Sequence, residues 1–188
     1  MAMSSVLTAA NQLTVLRLLL IPVFVLCVLY GHLGWALVTF MTAGATDALD
    51  GLVARRTGQP TTLGAWLDPM ADKLLLLTTF VVLTIPGLGQ VNRLPVWLTV
   101  VVISRDVGIV LTVAVWNLAV ARRTFRPSML GKTATVIYIA TGVITLYFNY
   151  RRESSPAIVV CVYAALAITL ASAFDYVRRA MKPSTFTP

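Results

Sequence analysis

Apolar residues dominate six stretches of the chain, at about 12–30, 34–55, 63–85, 95–120, 131–149 and 157–177, and polar residues gather between them. Each stretch is close to the roughly 20 residues that carry an α-helix across the hydrocarbon core of a bilayer. The breaks carry helix-stopping residues. Thr57, Gly58, Gln59 and Pro60 end the second stretch, and "IPGLGQ" closes the third. The pattern predicts an all-α integral membrane protein with six transmembrane helices, a single domain over 1–188 with no room for a separate soluble one. The first stretch is read as retained: "MAMSSVLTAANQ" lacks a basic n-region, and the run after it carries Arg17 and Pro22 without an evident small-residue cleavage site.

Composition strengthens this picture. Of 188 residues 58% are hydrophobic and 12% charged, and the mean hydropathy of +0.84 lies outside the ordinary soluble range. The net charge of +8 could suggest nucleic acid, but the cations sit in short loops between apolar runs, so membrane topology explains them and no nucleic-acid partner is expected. If the loop after the second span is cytoplasmic, that side collects Arg55, Arg56, Arg122, Arg123, Arg126, Arg178, Arg179 and Lys182. The opposite side holds Arg93, Arg151 and Arg152. The positive-inside rule then places both termini in the cytoplasm of a cell-membrane protein. Cys27 and Cys161 fall within apolar spans and read as small packing residues rather than a disulfide or metal pair.

One stretch breaks the apolar pattern. "TDALDGLVARRTGQPTTLGAWLDPMADK", residues 46–73, contains Asp47, Asp50, Asp68 and Asp72. A central aspartate costs about 2.5 to 3.5 kcal/mol on insertion scales unless it meets a partner or a wet cavity. Asp47, Asp50, Gly51, Ala54 and Arg55 follow helical spacing along one stripe, and Gly64, Asp68 and Asp72 do the same on the next helix. Two helices joined by a short turn would bring two pairs of carboxylates together, with too few cations nearby to balance them. One or two divalent cations supply the missing charge, and an all-carboxylate donor set selects Mg²⁺, Mn²⁺ or Ca²⁺ over zinc. Because Mg²⁺ shares its coordination with substrate phosphates, the pattern predicts a phosphorylated ligand. Gly51 and Gly64 leave space for it, or serve helix packing. Arg55 ends the stripe where a guanidinium would reach a phosphate. Interhelical ion pairs with Arg55, Arg56, Lys73 and Arg105 are the structural alternative, and an ion-transport site a further one.

Written out, the stretch is Asp47-x2-Asp50-Gly51-x2-Ala54-Arg55-x8-Gly64-x3-Asp68-x3-Asp72. It resembles the signature of the CDP-alcohol phosphatidyltransferases at every fixed position, and chain size, span count and "NQLTVLRLLLIP" are similar too. The resemblance implies that an acceptor hydroxyl attacks the lipid-bearing phosphate of CDP-diacylglycerol and expels CMP. It also implies two divalent cations (Mg²⁺ or Mn²⁺) on Asp47, Asp50, Asp68 and Asp72, with Asp72 as general base. Gly51, Ala54, Arg55, Gly64 and Thr61 (or Thr62) would line the nucleotide pocket, facing the cytoplasm. A homodimer is implied as well.

The acceptor is legible only in part. "GAWLDPMADKLLL" resembles the branch acting on glycerol-type acceptors, carried by Pro69 and Lys73, and Arg105 in "ISRDVG" and Lys132 in "PSMLGKTAT" are the further cations expected near the acceptor. Arg105 has an alternative reading as an ion pair with Asp106 or one of the four acids. The glycerol-3-phosphate branch usually carries a second Arg where this chain has Val113, and Lys-Thr where it has Ala134-Thr135. Both glycerol-3-phosphate and phosphatidylglycerol therefore stay open. Rival functions are a Mg²⁺-dependent membrane prenyltransferase, expected to carry two separated Asp motifs on a longer chain, and a divalent-cation carrier without chemistry.

Overall fold

The computed structural model describes the backbone of residues 9–57, 62–119 and 129–180, with side chains over 14–46, 71, 73–111 and 129–178. Six helices follow in order and no strand occurs among the described residues. They are α1 (Ala9–Leu29), α2 (Leu33–Thr57), α3 (Thr62–Thr84), α4 (Val96–Ala119), α5 (Met129–Arg151) and α6 (Pro156–Ala180). Each coincides with one predicted apolar stretch to within three residues at either end. Gly31, Gly87 and Gly89 take positive φ in the breaks, where a residue without Cβ turns the chain at little cost.

The chain divides into two compact units. The first holds α1, α2, α3, the loop to Arg93 and the second half of α5 from Gly142; the second holds α4, the first half of α5 and α6. In the first unit α1 contacts both α2 and α3, and α2 contacts α3. The inward stripe of α1 is Thr14, Arg17, Phe24 and Val28, all fully buried, at spacings of three, seven and four that keep one helical face. That of α2 is Ala36, Phe40 and Ala43, and that of α3 is Ala71, Leu75, Thr79 and Val82. The rings of Phe24 and Phe40 meet with centroids 5.9 Å apart.

The loop after α3 is tied to the end of α5 by two buried asparagines. Asn92 N–H donates to Asn149 Oδ1 at 2.7 Å, and Asn149 Nδ2 donates back to the Asn92 carbonyl at 2.9 Å. The reciprocal pair satisfies polar groups that burial would otherwise leave unmatched. In the second unit α4 contacts α6, and the Tyr138 and Thr169 hydroxyls hydrogen-bond at 2.6 Å between α5 and α6.

Among the described residues the interior mixes apolar and polar side chains, and the exterior carries many large apolar ones. Thr14, Arg17, Thr79, Thr145 and Asn149 are fully buried, while Leu19, Trp35, Val96, Val136, Val160 and Phe174 are each more than 60% exposed. Thr39, Thr79 and Thr141 return their hydroxyl protons to the carbonyl one turn back, Thr79 to Leu75 at 2.7 Å, so the backbone absorbs that polarity. An apolar exterior of this extent marks a surface made for something other than water. Two helices, α5 and α6, are long and apolar enough to cross a membrane. Cys27 and Cys161 are free and half-buried, less enclosed than their apolar surroundings in sequence suggest.

Candidate metal and nucleotide site

The acids lie on the last three turns of α2 and the first three of α3. The backbone is helical through Asp47, Asp50, Gly51, Ala54 and Arg55 and through Gly64, Asp68 and Asp72; their side chains lie outside the described residues. Thr61 falls outside them altogether, and Thr62 is the first residue of α3. What the structure gives is register. On α2 the buried positions 36, 40 and 43 continue at the same spacing through 47, 50, 51 and 54. On α3 the buried positions 82, 79, 75 and 71 continue through 72, 68 and 64. Both inward stripes run into the acidic positions.

Height along the helices can be fixed from a described contact. At Gly142 of α5 a Cβ would stand 3.3 Å from Phe40 Cζ and 3.3 Å from Thr79 Cγ2, so Phe40 on α2 and Thr79 on α3 sit at one level. Seven residues are nearly two helical turns, about 10 Å, and return to the same face. Seven residues on from Phe40 is Asp47, and seven back from Thr79 is Asp72. Both are also ten residues from the turn between α2 and α3. Asp50 and Asp68, seven and six residues from that turn, form the next level toward it. The backbone thus places two rungs of paired acid positions on helices in contact.

The donor chemistry fits a hard divalent cation: the set is carboxylate only. His32, the only histidine, lies in the α1–α2 turn at the other end of α2. No cluster of three His, Cys, Asp or Glu occurs among the described residues, which do not include the side chains of the motif.

The cations expected near an acceptor are described. Lys73, beside Asp72 on α3, is exposed. Lys132, in the first turn of α5, is exposed as well. Arg105 on α4 is largely covered: its Nη1 pairs with Asp106 Oδ1 at 2.6 Å and its Nε donates to Ser172 Oγ on α6 at 3.1 Å. The alternative sequence reading of Arg105, an ion pair with Asp106, is therefore formed. Two buried features escaped the sequence reading, Arg17 and the Asn92–Asn149 pair. Arg17 carried a signal, being the one arginine inside the first apolar run.

Comparison with known proteins gives the family. A family model for CDP-alcohol phosphatidyltransferases matches residues 7–171. A Mycobacterium tuberculosis protein named "Probable phosphatidylglycerophosphate synthase" is 38% identical over 181 residues, covering 92% of this chain and 81% of its own. The "Cardiolipin synthase (CMP-forming)" of Streptomyces coelicolor is 37% identical over 139 residues, 69% of this chain and 60% of that protein. The human protein of that same name is 32% identical over 188 residues, 90% of this chain and 60% of its own. The match runs through five of the six helices and the whole acidic motif, and the chain belongs to the CDP-alcohol phosphatidyltransferase family.

Proposed function

We propose that this enzyme transfers the phosphatidyl group of CDP-diacylglycerol to a glycerol-type alcohol in the cell membrane and releases CMP. The observation that carries the proposal is the convergence of the inward stripes of α2 and α3 on paired acid positions, in a chain whose family performs this class of reaction. Asp47, Asp50, Asp68 and Asp72 would hold two divalent cations, Mg²⁺ or Mn²⁺. When bound, such ions neutralise charge on a pyrophosphate and on its departing phosphate. Asp72 takes the proton of the acceptor hydroxyl; the freed oxygen forms a bond to the lipid-bearing phosphorus as the bond to CMP breaks, and CMP leaves with that electron pair. Gly51 and Gly64 leave room for the nucleotide, Ala54 and Thr61 border it, and Arg55 meets a phosphate oxygen.

The whole chain, 1–188, works as one catalytic domain with six spans, termini and site on the cytoplasmic side, and pairs with a second copy. Lys73, Arg105 and Lys132 serve the acceptor. The first reading of that acceptor is glycerol-3-phosphate, supported by the relative that aligns over 92% of this chain and 81% of its own length. Phosphatidylglycerol is the second, favoured by a specific observation: Ala134, where the glycerol-3-phosphate branch carries lysine, is fully buried and offers a methyl group to its surroundings. A dianionic phosphomonoester would want a cation there.

The test is CMP release by purified protein in detergent with CDP-diacylglycerol and Mn²⁺, with each acceptor in turn. Release with glycerol-3-phosphate alone supports the first reading, and release with phosphatidylglycerol alone the second. No release with any alcohol acceptor would sink the proposal and return the prenyltransferase and cation-carrier readings.

A further inference from the structure

Arg17 is fully buried on α1, and a guanidinium that does not titrate in proteins requires an anion close by when water is excluded. The acids of its own unit are Asp47, Asp50, Asp68, Asp72 and Glu153. Glu153 is half-exposed past the end of α5 and already pairs with Arg151 at 3.0 Å. That leaves the four acids of the motif, carried by the two helices that α1 contacts.

Register selects among them. The Phe24–Phe40 ring contact fixes how α1 lies against α2. Seven residues before Phe24 is Arg17, and seven after Phe40 is Asp47. The two helices are joined by the three-residue turn Tyr30–His32 and run antiparallel, so both steps lead the same way along the interface and return to the same faces. Asp72 is level with Asp47 by the Gly142 contact described above. Asp50 and Asp68 fall about one turn further away.

From this juxtaposition we infer that Arg17 is the built-in counter-charge of the acidic site, paired with the Asp47–Asp72 rung. It is a positioning residue: it holds one carboxylate in place and lowers the repulsion among four before any cation arrives. The pairing does not require the catalytic reading, because it is a property of the metal-free protein.

The experiment is a set of double-mutant cycles on full-length protein in detergent with EDTA, reading the midpoint of thermal unfolding. Arg17→Met lowers the midpoint by roughly 10 °C, since breaking a buried pair leaves an uncompensated charge. Adding Asp47→Asn or Asp72→Asn to Arg17→Met recovers at least half of that loss, whereas adding Asp50→Asn or Asp68→Asn, which relieves only repulsion among the acids, recovers less than a quarter. Arg17→Lys, which keeps the charge, retains most of the midpoint and serves as the background for the same cycles if the Met variant does not fold. Strict additivity with both Asp47 and Asp72, or coupling confined to Asp50 and Asp68, overturns the pairing. CMP release by the wild-type protein is judged separately.

Discussion

Asp72 stands at the third turn of α3 on a stripe that is buried on its far side. Asn matches the volume of Asp but neither accepts a proton at neutral pH nor carries charge. In Asp72→Asn, CMP release should fall by about 100-fold to 10,000-fold, the range for loss of a positioned base. CMP release within a few-fold of wild type would remove Asp72 from its proposed role. Gly142 supplies the second prediction at this scale. A Cβ there would press on Phe40 and Thr79, both buried and two turns from the Asp47–Asp72 level. Gly142→Val should lower the midpoint by roughly 2–10 °C, from an overpacking cost of about 1–3 kcal/mol. It should also cut CMP release, since the wedge pushes apart the two helices that carry the acids. An unchanged midpoint would mean that Phe40 and Thr79 yield without strain. The residues behind these two predictions differ in how readable they were. Asp72 announces itself, an acid in an apolar run at fixed spacing from three others. Gly142 and the Asn92–Asn149 pair do not, because their roles come from partners far away in sequence. Arg17 lies between: the cost of a buried charge flags it, but only the register of α1 on α2 says which acid positions share its level.

At the scale of elements, the site is a matter of phase. The positions of Asp47 and Asp50 follow from the helix that begins at Leu33, and they continue the spacing of Ala36, Phe40 and Ala43, which are buried. One extra residue rotates everything beyond it by about 100° while adding only 1.5 Å of length. Inserting a single alanine after Gly44 should therefore carry the acids of α2 off the inward stripe and abolish CMP release, by more than 100-fold. Inserting it after Thr57, outside the helix, leaves the phase of α2 intact and should cost far less. Comparable CMP release by the two insertions would break the link between stripe and chemistry. Helix positions were legible because apolar length alone specifies them, and the six observed helices match the six stretches closely. The contacts among helices were not: in an almost uniformly apolar chain, the inward face of α1, α2 or α3 cannot be told from its outward face by hydropathy.

Among the described residues, threonine, asparagine and one arginine are buried beside leucine, valine and phenylalanine, while many further large apolar side chains lie outside. Such a surface settles the solvent more firmly than it settles orientation, which rests on charge. The helix ends and connections on the side assigned to the cytoplasm hold Arg55, Arg56, Arg122, Arg123 and Arg126, and those on the other side hold Arg93, Arg151 and Arg152. Moving several guanidinium groups across a bilayer core is opposed by a few kcal/mol for each, so one orientation should dominate. The acids sit at the α2–α3 end, and the Asn92–Asn149 tie sits at the opposite end of α3. Only the first end should meet cytoplasmic nucleotide. Cysteine labelling checks this directly once Cys27 and Cys161 are replaced by serine. In intact cells an impermeant maleimide should modify Gly87→Cys, in the turn after α3, and leave Gly58→Cys, in the connection after α2, untouched; opening the cells should expose the second. The reverse pattern would put the acids outside, where CDP-diacylglycerol made in the cytoplasm could not reach them without crossing the membrane, and the proposed reaction would lose its substrate.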